Sequence, residues 1–140
     1  MSEQLRGDLI RDEGWRPTVY DDHLGFATIG YGFLVDHRRG GGMPKEVGDY
    51  WLDMLIARQW NELCRDYPWF IDAPAPVQRA VQNMRYQLGR GGLAGFRRML
   101  AALALGNYVE AAREALDSRW AKQTPNRARR IAALIRSAEE

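Results

Sequence analysis

The sequence predicts an α+β fold, a small antiparallel sheet near the N-terminus followed by a helical bundle. Three observations carry this expectation. Residues 16–35 hold short extended runs of β-branched and aromatic residues broken by Asp and Gly turns. From Pro44 onward, apolar residues recur at three- and four-residue steps. The chain has 140 residues, 46% hydrophobic and 27% charged, which suits one globular domain over 1–140 and not a disordered chain.

Taken in order, residues Ser2 to Arg11 carry Leu5, Leu9 and Ile10 at helical spacing, with Gly14 as a stop signal just beyond. Pro17, Thr18, Val19 and Tyr20 favour an extended strand. Asp21-Asp22-His23-Leu24-Gly25 has turn chemistry, Phe26 to Ile29 reads as the return strand, and Phe33-Leu34-Val35 as a short third one. Asp36 to Gly42 is a loop. Its glycines lack the Lys-Ser/Thr of a phosphate loop, and Gly30-x-Gly32 lacks the third glycine of a dinucleotide fingerprint, so both sets are turn glycines.

Pro44 opens a helix through Cys64, with Val47, Trp51, Leu52, Leu55, Ile56, Gln59, Trp60 and Leu63 on one broad face expected to enter the core. Ala73-Pro74-Ala75-Pro76 marks a break before a helix over Val77 to Leu88, and Gly89 to Gly92 is a turn. Further helices are expected from Phe96 to Leu105, stopped by Gly106, and from Tyr108 to Leu116, capped by Asn107. Ser118 to Gln123 is a short helical turn. Thr124-Pro125, cap then proline, starts a final helix to about Ser137.

Charge and cysteine usage narrow the function classes. Net charge is +2, yet residues 1–76 hold 8 Lys/Arg against 13 Asp/Glu, and residues 77–140 hold 12 against 5. A basic C-terminal half suits an anionic polymer. The arginines are scattered over several helices without a nucleic-acid motif, so no nucleic-acid partner is expected. Cys64 is the single cysteine, which excludes an intrachain disulfide. With only His23 and His37 beside it, no metal site or cofactor is expected. The apolar run from Met99 to Leu105 is too short to span a membrane, and Met1-Ser2-Glu3-Gln4 lacks signal-peptide character. Synthesis in the cytoplasm, without a signal peptide, is the expectation.

The chemistry is concentrated in residues 13–33. Glu13 ends the first helix, Asp22 sits in the turn, and Thr28 lies on the returning strand, where chain reversal can bring the three to one side. Two carboxylates in different settings with a nearby hydroxyl are what acid/base hydrolysis of a glycoside needs. The same spacing also describes a solvated helix-end acid, a turn former and a strand residue.

A resemblance adds to this. Glu13, Asp22 and Thr28, at intervals of nine and six, are spaced like the catalytic Glu-Asp-Thr set of phage-type lysozymes, the muramidases represented by the T-even phage enzyme. Asp12-Glu13-Gly14, Gly25 and Thr28-Ile29-Gly30-Tyr31-Gly32 match around them. Downstream, Asn83-Met84, Gln87, Gly89, Gly92, Ala94-Gly95-Phe96, Ser118-Arg119-Trp120 and Gln123-Thr124-Pro125-Asn126-Arg127-Ala128 are similar and in the family's order.

The resemblance implies a lysozyme-like fold: a β-rich lobe over about 12–44, a connecting helix over about 45–65, and a helical lobe over about 66–140 together with the N-terminal helix. It implies an inverting endolysin cutting the β-1,4 bond between N-acetylmuramic acid and N-acetylglucosamine in peptidoglycan, with lysis of the host cell as the outcome. Glu13 is then the general acid, Asp22 orients or deprotonates the attacking water, and Thr28 holds it. Gly30 and Arg127 support Glu13, Arg127 by positioning it across the cleft. Leu34, Tyr86 and Gln87 line the glycan cleft. The protein is expected to be a monomer, reaching the cell wall by way of a separate holin.

The sequence also departs from the family. Phe33 stands where the T-even enzyme has a histidine, and Leu55 aligns with that histidine's aspartate partner. Leu24 replaces a glutamate, and the segment from Phe33 to Pro44 is shorter. Two further readings stand beside hydrolysis. A lytic transglycosylase needs one acid and no water-directing carboxylate, and a catalytically silent peptidoglycan-binding or virion component needs neither.

Overall fold

The computed structural model describes residues 3–139. The elements run α1 (Glu3–Glu13), β1 (Arg16–Asp21), β2 (Ala27–Gly30), β3 (Phe33–Leu34), α2 (Lys45–Asp66), α3 (Ala75–Ala94), α4 (Arg97–Ala104), α5 (Tyr108–Leu116), α6 (Arg119–Gln123) and α7 (Pro125–Ser137). The α+β expectation holds. Ser2, expected to begin the first helix, lies outside the described residues. Two compact units divide the chain, 1–53 and 54–140, and the boundary falls inside α2.

The first unit carries the antiparallel sheet in the order β1-β2-β3. Arg16 pairs with Gly30, Tyr20 with Thr28 and Asp21 with Ala27, with an irregularity between Arg16 and Tyr20. Thr28 then faces Leu34, and Ile29 faces Phe33. Among the described residues of this unit, Ala27, Thr28 and Gly30 are the buried ones. The loop after β3 is organised by Asp36. Its Oδ1 accepts the Arg38 N–H at 2.8 Å, and its Oδ2 accepts an Arg38 Nη at 2.9 Å and the Gly42 N–H at 3.1 Å. The Arg38 side chain, chiefly, holds the Asp36 carboxyl well below the usual carboxylate range.

The second unit holds the hydrophobic core. Leu63, Phe70, Val77, Val81, Met84, Leu93 and Ile135 are fully enclosed there. Trp60 packs on Phe70 with ring centroids 5.0 Å apart, near-perpendicular, and the half-buried Cys64 joins the same cluster. Gln59 Nε2 donates to the Gln82 carbonyl at 2.8 Å. Arg85 pairs with Glu62, and Arg90 grips both oxygens of Asp66 at 2.6 and 2.8 Å. These bonds fix the end of α2 against α3.

Three local expectations are corrected. The apolar stripe of α2 enters the core only at its C-terminal end: Leu63 is buried, whereas Val47, Trp51, Leu52 and Ile56 are exposed. Residues 89–92 are not a free turn. Gly89 kinks α3 at φ 76°, ψ 175°, and the helix resumes to Ala94. Thr124 does not cap α7 through its side chain, because its hydroxyl donates back to the Trp120 carbonyl at 3.1 Å. The capping expectation for Asn107 holds, and Ser118 caps α6 as well. Asn107 Oδ1 accepts from the Glu110 N–H, and Ser118 Oγ accepts from the Ala121 N–H. Among the described residues, no helix is long and apolar enough to cross a membrane.

Candidate active site

The three chemical candidates all lie in the first unit. Glu13 is the last residue of α1. The helix closes there because the Gly14 N–H bonds the Ile10 carbonyl at 3.0 Å and Gly14 takes φ 71°. The Glu13 side chain is exposed, with its carboxylate lying over Gly32 in the β2–β3 turn. A Cβ added to Gly32 would fall 3.0 Å from Glu13 Cδ and closer still to Oε2. Gly32 also has φ +72°, a conformation that costs a side-chain-bearing residue roughly 1–2 kcal/mol. The expected result for Gly32→Ala is therefore a displaced Glu13 side chain and a loss of about 1–2 kcal/mol in urea unfolding. Unchanged stability would show that the turn does not need glycine.

Asp22 sits at the hairpin tip and directs an Asx-type turn. Its Oδ1 accepts the N–H groups of Leu24 and Phe26, both at 2.9 Å, while its backbone N–H bonds the Phe26 carbonyl at 2.9 Å. Both side-chain bonds end on Oδ1, so Oδ2 keeps its capacity to accept. The Phe26 N–H bond is the largest influence on the carboxyl, followed in the same direction by Leu24 and the neighbouring His23, and these outweigh partial desolvation. The carboxyl is held below its ordinary value of 3.8.

Linkage gives the sign of the pH effect. A carboxylate depressed in the folded state adds stability that is present above its unfolded value and lost as pH falls through its folded one. Carboxyl NMR is expected to place the Asp22 midpoint below 3.8. A midpoint above that value would break the turn geometry described here.

Thr28 is 5% exposed and donates its hydroxyl proton to the Phe26 carbonyl at 3.0 Å. With the proton committed, the oxygen faces other partners as an acceptor. Strand register aligns Tyr20, Thr28 and Leu34 across the three strands. Asp22 follows directly after β1, where its backbone N–H bonds the Phe26 carbonyl. Thr28 and the exposed Leu34 are thus brought to one face of the sheet, Asp22 holds the turn between β1 and β2, and Glu13 stands over the turn between β2 and β3.

Gly30 is buried at φ +70°, and an added Cβ would meet Phe33 Cδ2 at 2.8 Å and Trp15 Cζ3 at 3.6 Å. Around it, Trp15 and Tyr31 pack with centroids 5.0 Å apart, and Tyr31 meets Phe33 edge-on at 6.2 Å. Sequence reasoning missed both this aromatic cluster and the dependence of Glu13 on Gly32, which it took for an ordinary turn glycine. The available signal was Gly32 lying directly between two aromatic residues.

Tyr86, Gln87 and Arg127 belong to the second unit. Tyr86 is exposed, and Gln87 Oε1 accepts the Trp120 indole N–H at 2.8 Å, leaving the Gln87 amide N–H₂ to donate. Arg127 Nε donates to Asn83 Oδ1 at 2.9 Å, and one of its Nη atoms to the Asn83 carbonyl at 3.5 Å. The guanidinium plane is fixed by this residue.

Comparison with known proteins places the chain. The family model described as phage lysozyme matches residues 11–140. The chain belongs to the phage lysozyme family. Among curated relatives, the pre-baseplate central spike protein Gp5 of Enterobacteria phage T4 is 31% identical over 160 aligned positions, covering 96% of this chain and 27% of that protein. The chain therefore spans about a quarter of that relative's length. The protein named "Probable T4-type lysozyme 1" of Dictyostelium discoideum is 34% identical over 161 positions, covering 96% of this chain and 95% of its own length. Alignments longer than the 140-residue chain require these phage lysozyme relatives to carry residues that it lacks. The shortened segment after Phe33 is consistent with that.

Proposed function

We propose that this protein is an inverting N-acetylmuramidase that hydrolyses the β-1,4 bond between N-acetylmuramic acid and N-acetylglucosamine in peptidoglycan, acting as an endolysin in host-cell lysis. The observation that carries the reading is that Asp22, in the hairpin turn, and Thr28, on the returning strand, both keep an oxygen free to accept. A nucleophilic water must turn a lone pair towards the anomeric carbon, so its own protons need acceptors. Asp22 Oδ2 and Thr28 Oγ1 supply them. Asp22 is the water-directing base, kept ionised by its backbone donors. Glu13 is the general acid that protonates the departing glycosidic oxygen. Arg127, held by Asn83, is the positioning residue that the family pattern assigns to Glu13. Gly30 supports the turn, while Leu34, Tyr86 and Gln87 contact the glycan.

A lytic transglycosylase has no use for a second carboxylate, and the ordered Asp22 turn favours hydrolysis over it. The test is mass spectrometry of fragments released from purified peptidoglycan. Hydrated reducing ends are expected. Anhydro ends would mean transglycosylation, and glycan binding without fragments by folded protein would mean a silent binding module.

A further inference from the structure

We propose that Arg39 is a positioning residue for the Asp22 turn, clamping the Gly25–Phe26 step on which both Asp22 and Thr28 depend. Its consequence for rate rests on the muramidase reading. Phe26 is the junction between the two acceptors. Its N–H donates to Asp22 Oδ1 at 2.9 Å, and its carbonyl accepts the Asp22 N–H at 2.9 Å and the Thr28 hydroxyl at 3.0 Å. The backbone of one residue therefore sets the direction of the carboxylate and of the hydroxyl together. A shift of Phe26 would displace both.

Arg39 lies across this junction. Its guanidinium carbon stands 5.7 Å from the centre of the half-buried Phe26 ring, within the range of a cation–π contact. Its Cδ and Nε lie 3.7 and 3.8 Å from the point that a Gly25 Cβ would occupy. The arginine stem thus rests on the bare backbone of the turn, where Gly25 takes φ +84°. The bonds that orient the Asp22 carboxylate come from the turn's own N–H groups. Arg39 therefore acts through Phe26 and not on the carboxylate itself.

The loop that carries Arg39 is itself braced. The Val35 N–H bonds the Ala27 carbonyl at 2.9 Å, which ties the chain just past β3 to the residue after Phe26. Asp36 then closes the loop from both sides, Oδ1 accepting the Arg38 N–H at 2.8 Å and Oδ2 the Gly42 N–H at 3.1 Å. Between them the Gly41 N–H bonds the Arg38 carbonyl at 3.0 Å, a turn with Arg39 at its first corner and Gly40, φ +65°, at its second. Gly41 leaves no room for a side chain, since an added Cβ would fall 2.5 Å from Asp36 Cγ. A planar guanidinium on a long stem can cover the ring and the glycine step at once, which a compact ammonium does less well.

The test compares Arg39→Ala, Arg39→Lys and Arg65→Ala in the whole chain, the last removing the same charge from an exposed position on α2. On a soluble muropeptide oligomer, Arg39→Ala is expected to lower kcat about tenfold with KM unchanged, because misplaced groups lose rate and not binding. Arg39→Lys, which keeps the stem and the charge but not the plane, should recover part of that rate. In ¹⁵N spectra of the free protein, the Leu24 and Phe26 amide protons should move upfield in Arg39→Ala as their bonds to Asp22 lengthen, while the melting temperature holds. Arg65→Ala should match wild type throughout. A loss confined to KM would make Arg39 a contact to the glycan, and a large fall in melting temperature would make it a general stabiliser. Either result overturns the proposal, as do unmoved amides with wild-type kcat. The amide readout needs no hydrolysis, so the two readings fail separately. Moved amides in a protein that cuts no glycan would keep the clamp and sink the muramidase reading, and hydrolysis with unmoved amides and unchanged kcat would do the reverse.

Discussion

Glu13→Gln is expected to lower the rate of peptidoglycan hydrolysis by roughly 10²–10⁴-fold, the usual worth of a positioned general acid. Glutamine keeps the size and polarity of the side chain but has no proton to give to a departing glycosidic oxygen. Glu13 is exposed and ends α1, so the substitution removes no core contact, and thermal unfolding should move little. The split between lost rate and retained fold is the informative result. A variant with near-native rate would remove Glu13 from the mechanism. A variant that unfolds would make it a structural residue.

The largest expected stability effect lies at Phe70. It is fully buried, packs edge-on against Trp60 at 5.0 Å and against Trp69 at 6.3 Å, and its carbonyl accepts from Gln78 Nε2 at 3.0 Å. Phe70→Ala leaves a cavity that this aromatic cluster cannot close, costing about 3–5 kcal/mol. Against a typical total of roughly 5–15 kcal/mol, this is severe, and the melting temperature should fall by roughly 10–20 °C. Trp51→Ala, on the exposed part of the α2 stripe, should cost only a fraction of that. Equal losses at the two positions would mean that the stripe is packed along its whole length.

The contrast shows what could be read from residue order. Helix limits were legible where punctuation is local: Gly14 after α1, Asn107 as a cap, and Pro125 at the start of α7. The hairpin was legible for the same reason, since Asp22 and Gly25 specify their own turn. The depth to which the α2 stripe is buried was not, because periodicity reports that a helix has an apolar face and not what covers it. Thr124 was misread as a cap because a hydroxyl can serve the turn behind it as well as the helix ahead.

At the candidate site, the positions of Glu13 at a helix end, Asp22 in the hairpin turn and Thr28 on the returning strand were legible from the sequence. The placement of the Glu13 carboxylate over Gly32 was not, because a glycine in a turn gives no sign of what occupies the space its missing side chain leaves. The bond that Asn83 makes to Arg127 was hidden too, since the two residues lie 44 apart in the chain and meet only when α3 packs on α7.

The most direct test of the mechanism is the anomeric configuration of the first-formed reducing end, followed by NMR during wild-type hydrolysis of a β-linked muropeptide oligomer. Attack by a water held by Asp22 and Thr28 on the face opposite the leaving group predicts the α anomer first, with mutarotation to the mixture afterwards. The β anomer first would mean a covalent intermediate and a nucleophilic carboxylate, contradicting the roles assigned to Asp22 and Thr28.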